Sequence, residues 1–263
     1  MMERHAVCSL VVSTALLSAC AAKTPLPPHP EVTAAIRKME TVAVLPPFVE
    51  YTRMVFSGEN ERAPNVEQAI GATLADAAES AVGARRFTVR KAPEDQTPEH
   101  KREMEFELQQ LDAALVAAFR QAVQADSENQ TTRPRVSIGV AGNPLAHRMN
   151  ADALLVTRYS GFQKSTGQQT KEAMSGIAIG ALTGVVRVPA SEGGTVTLML
   201  IDGATGEVLW MGRGSHAVFP RHTGARTAAG TPAAAASNAL ATFPTREGAP
   251  AAGEKPPATS VSQ

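Results

Sequence analysis

The chain contains six histidines (His5, His29, His100, His147, His216 and His222) and two cysteines (Cys8 and Cys20). These are the side chains that most readily bind metals or exchange protons near neutral pH. No two histidines stand in HExxH spacing or another two-ligand spacing on a helix, so the zinc-hydrolase pattern is not met. Two cysteines do not make a cysteine-rich structural zinc site. His147, Asp152 and Ser160 are close in sequence and are the residue types of a nucleophilic triad. The G-x-S-x-G turn that would present such a serine is missing. The stretch GVAGN at 139–143 has two glycines after an expected short strand, but neither G-x-G-x-x-G nor a P-loop lysine. One tryptophan, Trp210, and two tyrosines leave little aromatic surface for stacking sugars or bases, and Trp210 is read as core. The formal net charge is zero, which gives no broad attraction to nucleic acid or to an anionic membrane surface. The residues therefore assign no catalytic group, no metal and no cofactor, and the chain is read as non-enzymatic.

One residue does carry chemistry. Arg4 and His5 precede an apolar stretch from Ala6 to Leu17, followed by small Ser18 and Ala19 and then Cys20. A basic start, an apolar core and small residues before a cut site describe a secretory signal peptide. The core falls well short of the ~20 residues that span a bilayer as a helix. The sequence Leu17-Ser18-Ala19-Cys20 resembles the lipobox of bacterial lipoproteins. That resemblance implies cleavage before Cys20, diacylglycerylation of its thiol and acylation of the new amino terminus. Cys8 would leave with the signal, so Cys20 would have no internal disulfide partner. Two or three acyl chains hold a protein firmly to a membrane, each buried methylene contributing ~0.8 kcal/mol. Ala21 and Ala22 follow the cysteine where an Asp would imply inner-membrane retention. The resemblance therefore implies the periplasmic face of the outer membrane.

The expected organisation is a signal peptide at 1–19, a lipid anchor and proline-rich tether at 20–31, one periplasmic domain at 32–244, and a disordered tail at 245–263. Within the domain, VAVLPPF at 42–48 predicts a buried strand ended by two prolines. Residues 65–82 predict a helix capped by Asn65, with Val66, Ile70, Leu74, Ala78 and Val82 on one face. A second strand is expected at 87–91. Thr97-Pro98 opens a long helix to 124, with Met104, Leu108, Leu111, Leu115, Phe119 and Ala122 as its apolar stripe. A short strand is expected at 136–141, a helical turn at Asn143-Pro144, and a clear strand at 153–163. Residues 195–203 and 207–215 form a hairpin. Thr231-Pro232 opens a closing helix stopped by Pro244. The fold class is α/β (α+β): a mixed sheet covered by helices, with a C-terminal hairpin and a closing helix.

The hairpin LMLIDGATGEVLW carries the strongest fold signal. Asp202 is placed to fold its carboxylate onto nearby amides, with Thr205 in the turn and Gly206 supplying positive φ. Val196, Leu198 and Leu200 share one strand face and Met199 and Ile201 the other, so the strand is expected to be buried on both sides. Asp202 reads as a turn residue before it reads as a catalytic one. VAVLPPF, the helix at 65–82, ADALLV at 151–156 and LIDGATGE at 200–207 together resemble a group of envelope proteins. That group includes the curli secretion lipoprotein CsgG, the N-terminal domain of TolB and the lipoprotein activators of peptidoglycan synthases. The long helix at 98–124 is enlarged relative to their pattern, and the extended amphipathic strands of a CsgG barrel are missing.

Gly176, Gly180 and Gly184 recur every four residues within an uncharged run from Ala173 to Val186. On a helix they would form a groove that another backbone can approach closely, at a cost of about 1 kcal/mol per glycine. The groove serves either as an interface or, the reading favoured, as local packing on the domain's own sheet. Three functions follow in order of preference. The first is a membrane-anchored, non-enzymatic binding or assembly factor with an envelope protein partner or self-association. The second is an oligomeric CsgG-like secretion channel subunit. The third is an envelope hydrolase whose site the sequence does not show, which loss of activity in His147→Ala would support.

Overall fold

The computed structural model describes residues 30–57, 60–91, 97–125, 135–172, 190–218 and 231–246. Cys20 and the glycine run at 176, 180 and 184 lie outside the described residues. The described strands form one seven-stranded mixed sheet. Its centre is β5 (Ala153–Lys164), a run of apolar and β-branched residues that suits a strand buried on both faces.

One edge of β5 pairs along its length with β6 (Glu192–Asp202), and β6 pairs with β7 (Val208–Val218), both antiparallel. The other edge of β5 carries two parallel strands in succession, β1 (Thr41–Val44) and β2 (Phe48–Met54). The sequence places one strand here, ended by Pro46 and Pro47. In the structure the prolines interrupt the strand without ending it. Val44 lies opposite Leu155 and Phe48 opposite Arg158, so the outer strand advances four residues while β5 advances three. Proline has no amide hydrogen for the ladder, and a one-residue bulge is where such a residue fits. Outside β1 lies parallel β4 (Thr88–Arg90), and outside β2 lies antiparallel β3 (Asn60–Arg62).

Helices cover both faces. On one face α1 (Pro30–Lys38), α2 (Pro64–Ala84) and α6 (Pro232–Leu240) bury Ile36, Leu74, Val82 and Ala235 against Leu155, Tyr159 and Leu198. On the other, α3 (Pro98–Ala125) and the short α4 (Asn143–Arg148) bury Leu111, Leu115 and Leu145 against Leu154, Val156 and Met199. The described part of α5 covers 166–172. Val196, Leu198 and Leu200 belong to one core and Met199 and Ile201 to the other, as the alternation requires.

The mixed α/β class, hairpin and closing helix stand as expected; several local details differ. Pro30 and Glu31, assigned by the sequence to the tether, open α1. Asn65 does not cap α2. Ala63 holds that position without a side-chain bond, because Pro64 has already started the helix with its preset φ. Val66 is 39% exposed, whereas Ile70, Leu74, Ala78 and Val82 are buried. The strand expected at 136–141 reduces to a single bridge, Ser137 to Glu207, before Gly139 turns the chain at φ 60° into a 3-10 helix (Gly139–Gly142). Thr97 and Thr231 act as caps: their hydroxyls accept from the amides of His100 (3.3 Å) and Ala234 (3.2 Å).

Candidate binding groove

At the end of the sheet where β1 and β5 begin, a crevice of ≈ 790 Å³ is lined by His147, Asp152 and Asp202, with Glu31 and Lys38 from α1. The two aspartates here are committed to the backbone. Asp202 Oδ1 accepts from the amides of Ala204 (2.9 Å) and Thr205 (2.8 Å), and Gly206 closes the turn at φ 68°. A Cβ at Gly206 would lie 1.8 Å from the Gly139 carbonyl oxygen, so glycine is required by close approach as well as by φ. Thr205 Oγ1 accepts from the Glu207 amide at 3.3 Å. Asp152 Oδ2 accepts from the amides of Glu40 (2.8 Å) and Thr41 (2.9 Å) and from the Thr41 hydroxyl (2.9 Å). Burial pushes the Asp152 carboxyl up, but these three donors and the Arg246 guanidinium outweigh it and hold the group below its usual range.

His147 and Asp152 thus share a crevice, but Asp152 orients the start of β1. Ser160 lies eight residues along β5, roughly 26 Å away at the strand rise. The three residues do not come together. Among the described residues, no group of three or more His, Cys, Asp and Glu is placed to hold a metal ion.

A second opening lies on the α3 face. Helix α3 covers the half of the sheet where Leu154, Val156 and Ile201 point outward. Two residues further along, the same face carries Arg158, which pairs with Asp112 of α3, and then Ser160, Thr195 and Thr197, which are exposed or half-buried. Between this part of the sheet and the α3 residues Leu115, Val116, Phe119 and Arg120 lies a groove of ≈ 850 Å³. Its floor is Met199, its outer wall Met211 and Arg213 of β7. Arg158 is ion-paired with Asp112 of α3 and lies 3.8 Å from Glu50. Arg120 and Arg213 are exposed and make no ion pair among the described residues.

The sequence reading missed these arginines. A signal exists in the period-two alternation: from Leu154 and Val156 the next residue on that face is Arg158, a cation on an otherwise apolar stripe. That Arg120 and Arg213 converge on it is a property of the packing of α3 and of the order β5-β6-β7. On the opposite face Tyr159 and His216, 2% and 5% exposed, are stacked, with the phenol oxygen 3.0 Å from Nε2. Gly161 and Gly194 leave room for the phenol: a Cβ on either would lie 2.4 Å from its oxygen. Trp210 packs edge-on to Phe243 with centroids 4.9 Å apart, in keeping with a core role. Among the described residues, no helix is long and apolar enough to cross a membrane.

No protein-family model matches the chain, and no curated protein matches it. Among solved structures, lipoprotein GNA1162 from Neisseria meningitidis aligns over 72% of this chain and 86% of that one, at 13% identity and a TM-score of 0.30. A PelC dodecamer from Paraburkholderia phytofirmans aligns over 77% and 83%, at 14% identity and a TM-score of 0.29. The LpoB C-terminal domain from Salmonella enterica aligns over 67% and 81%, at 12% identity and a TM-score of 0.26. Likeness at this level transfers neither an activity nor a partner to this chain.

Proposed function

We propose that the chain is a bacterial lipoprotein held by acyl chains on Cys20 at the periplasmic face of the outer membrane, and that its α/β domain is a non-enzymatic binding or assembly factor of the cell envelope. The anchor rests on the sequence LSAC behind an apolar signal. The binding role rests on one observation, the groove in which Arg120, Arg158 and Arg213 surround an apolar floor between α3 and the sheet. A concave surface with an apolar base and a few convergent polar groups is the usual form of a binding site. Nine residues lie between Cys20 and Pro30 and the ten steps reach at most ~35 Å, so the domain works close to the membrane.

The test is a photo-crosslinking residue placed at Met211 or Thr197 in cells, with one at His147 for comparison, in wild-type and Cys20→Ser backgrounds. The expected result is a discrete envelope-protein adduct from the groove positions only, lost when Cys20→Ser releases the chain from the membrane fraction. Groove positions that capture nothing would refute the binding role, and membrane retention of Cys20→Ser would refute the anchor. Light scattering on the detergent-extracted chain covers the glycine run. A ring of many subunits that Gly180→Leu breaks would make Gly176, Gly180 and Gly184 an oligomer interface and favour a channel subunit. A monomer in both cases leaves them as local packing.

A further inference from the structure

We propose that the groove between α3 and strands β5, β6 and β7 binds an extended acidic segment of a partner protein, whose carboxylates pair with Arg120 and Arg213. This rests on the binding role proposed above and adds the chemistry of the ligand. Three guanidiniums line the groove against one carboxylate, Glu50. Arg158 is already engaged by Asp112. Arg120 and Arg213 approach from opposite walls, one from a helix and one from a strand. The guanidinium fork matches a carboxylate with two parallel hydrogen bonds.

The rest of the groove fits a peptide rather than a bare anion. Leu115 and Met199 form a buried apolar floor, and Met211 is 41% exposed at the rim, where its flexible thioether can adapt to an incoming side chain. Strand β7, which carries Met211 and Arg213, pairs only with β6 among the described strands. At its start the Val208 amide already donates to the Val136 carbonyl (2.8 Å); beyond that bond no described strand pairs the outer edge, which offers backbone donors and acceptors to an extended chain. The formal net charge of zero provides no general attraction for anions, so selectivity must come from this local cluster. The protein's own segments at 173–189 and 219–230 contain no Asp or Glu and lack this complementarity; acids do occur at 92–96 (Glu94, Asp95), 126–134 (Asp126, Glu128) and 247–263 (Glu247, Glu254), and 126–134, which continues directly from α3, is the competing occupant tested below.

The probe is a short fluorescein-labelled peptide of alternating glutamate and leucine, with a glutamine-for-glutamate twin, titrated by anisotropy against the full chain purified in detergent. The acidic peptide should bind, and the twin at least about tenfold more weakly. Arg120→Ala/Arg213→Ala should weaken the acidic peptide by about tenfold, a few-fold per exposed charge pair. His147→Ala, at the other crevice, should leave affinity unchanged. Both arginines are exposed, and a melting temperature equal to wild type confirms that the double variant is folded. Equal binding of the two peptides, or an unchanged double variant, overturns the proposal. So does displacement of the peptide by inorganic phosphate alone, which would mark a simple anion site. A tenfold gain in Asp126→Asn/Glu128→Gln also overturns it, because the groove would then belong to the chain's own acids. If groove crosslinks to an envelope protein persist in the double variant, the binding role survives and the acidic ligand does not. If crosslinks and peptide binding are both missing, both fail.

Discussion

Strand β7 and helix α6 approach so closely that glycine is required at two positions, and Gly214→Ala measures that requirement. A Cβ at Gly214 would lie 1.9 Å from the Ala235 carbonyl oxygen and 3.0 Å from the Ala239 amide nitrogen. Both atoms are helix backbone, so no side-chain rotation relieves the clash. A normal contact needs about 3.5 Å, so α6 would have to retreat by roughly 1.5 Å. The retreat opens a gap beneath Ala235, Ala236 and Ala239, all buried within 1% exposure. Overpacking of this kind costs about 1–3 kcal/mol, here at the upper end, offset by about 0.5–1 kcal/mol from the stiffer unfolded chain. The net loss is about 2 kcal/mol, which for a domain of this size lowers the melting temperature by about 4–8 °C. The assay is thermal and urea unfolding of the full chain by circular dichroism. Gly83→Ala is the control: nothing lies within 4 Å of its added Cβ, and it should be neutral or stabilising by up to about 1 kcal/mol. A Gly214→Ala protein that melts at or above wild type would refute the account of this interface.

Two further substitutions test polar contacts. Asp152→Asn removes the charge that accepts three hydrogen bonds at the start of β1, with an expected loss of about 1 kcal/mol at neutral pH after solvent screening. Because the folded pKa is depressed, that stabilisation is present above the unfolded carboxyl value of ~3.9 and is lost as pH falls below it. Urea midpoints of wild type and variant should therefore converge below about pH 3.9, and a gap that persists there would show that the charge is not the cause. Tyr159→Phe removes the 3.0 Å bond to His216 between two buried rings and should cost about 1–3 kcal/mol. Burial pushes the Tyr159 pKa up, so the folded phenol stays neutral and the loss should not vary between about pH 8 and pH 9, below the ordinary tyrosine value of ~10 and above the ordinary histidine value of ~6.5.

The legible parts of this fold are those decided by nearest neighbours. The alternation in TVTLMLID assigns side chains to two cores because a strand has a fixed period of two, and the structure divides them as Val196, Leu198 and Leu200 against Met199 and Ile201. Thr231 before Pro232 marks a helix start because a hydroxyl can satisfy an orphan amide locally. The turn at Asp202 and Gly206 is local for the same reason. The illegible parts depend on distant residues. The strand after Pro46-Pro47 has an ordinary polar sequence, FVEYTRM, and becomes a strand because β5 offers it seven partners in register. The strand expected at 136–141 is shortened because the chain there packs against the hairpin turn instead of entering the sheet.

The same division applies to the site. The sequence alone shows that His147, Asp152 and Ser160 occur together and that LSAC follows a signal-like run, because residue type and short spacing are one-dimensional properties. The strand expected at 153–163 already places Ser160 far from Asp152, whereas only the tertiary structure turns the Asp152 carboxylate toward the amides of Glu40 and Thr41. It alone brings Arg120, Arg158 and Arg213 around one apolar floor from three separate elements. Their convergence is set by where α3 crosses the sheet, and that crossing is fixed by burial of Leu111 and Leu115, not by the arginines themselves.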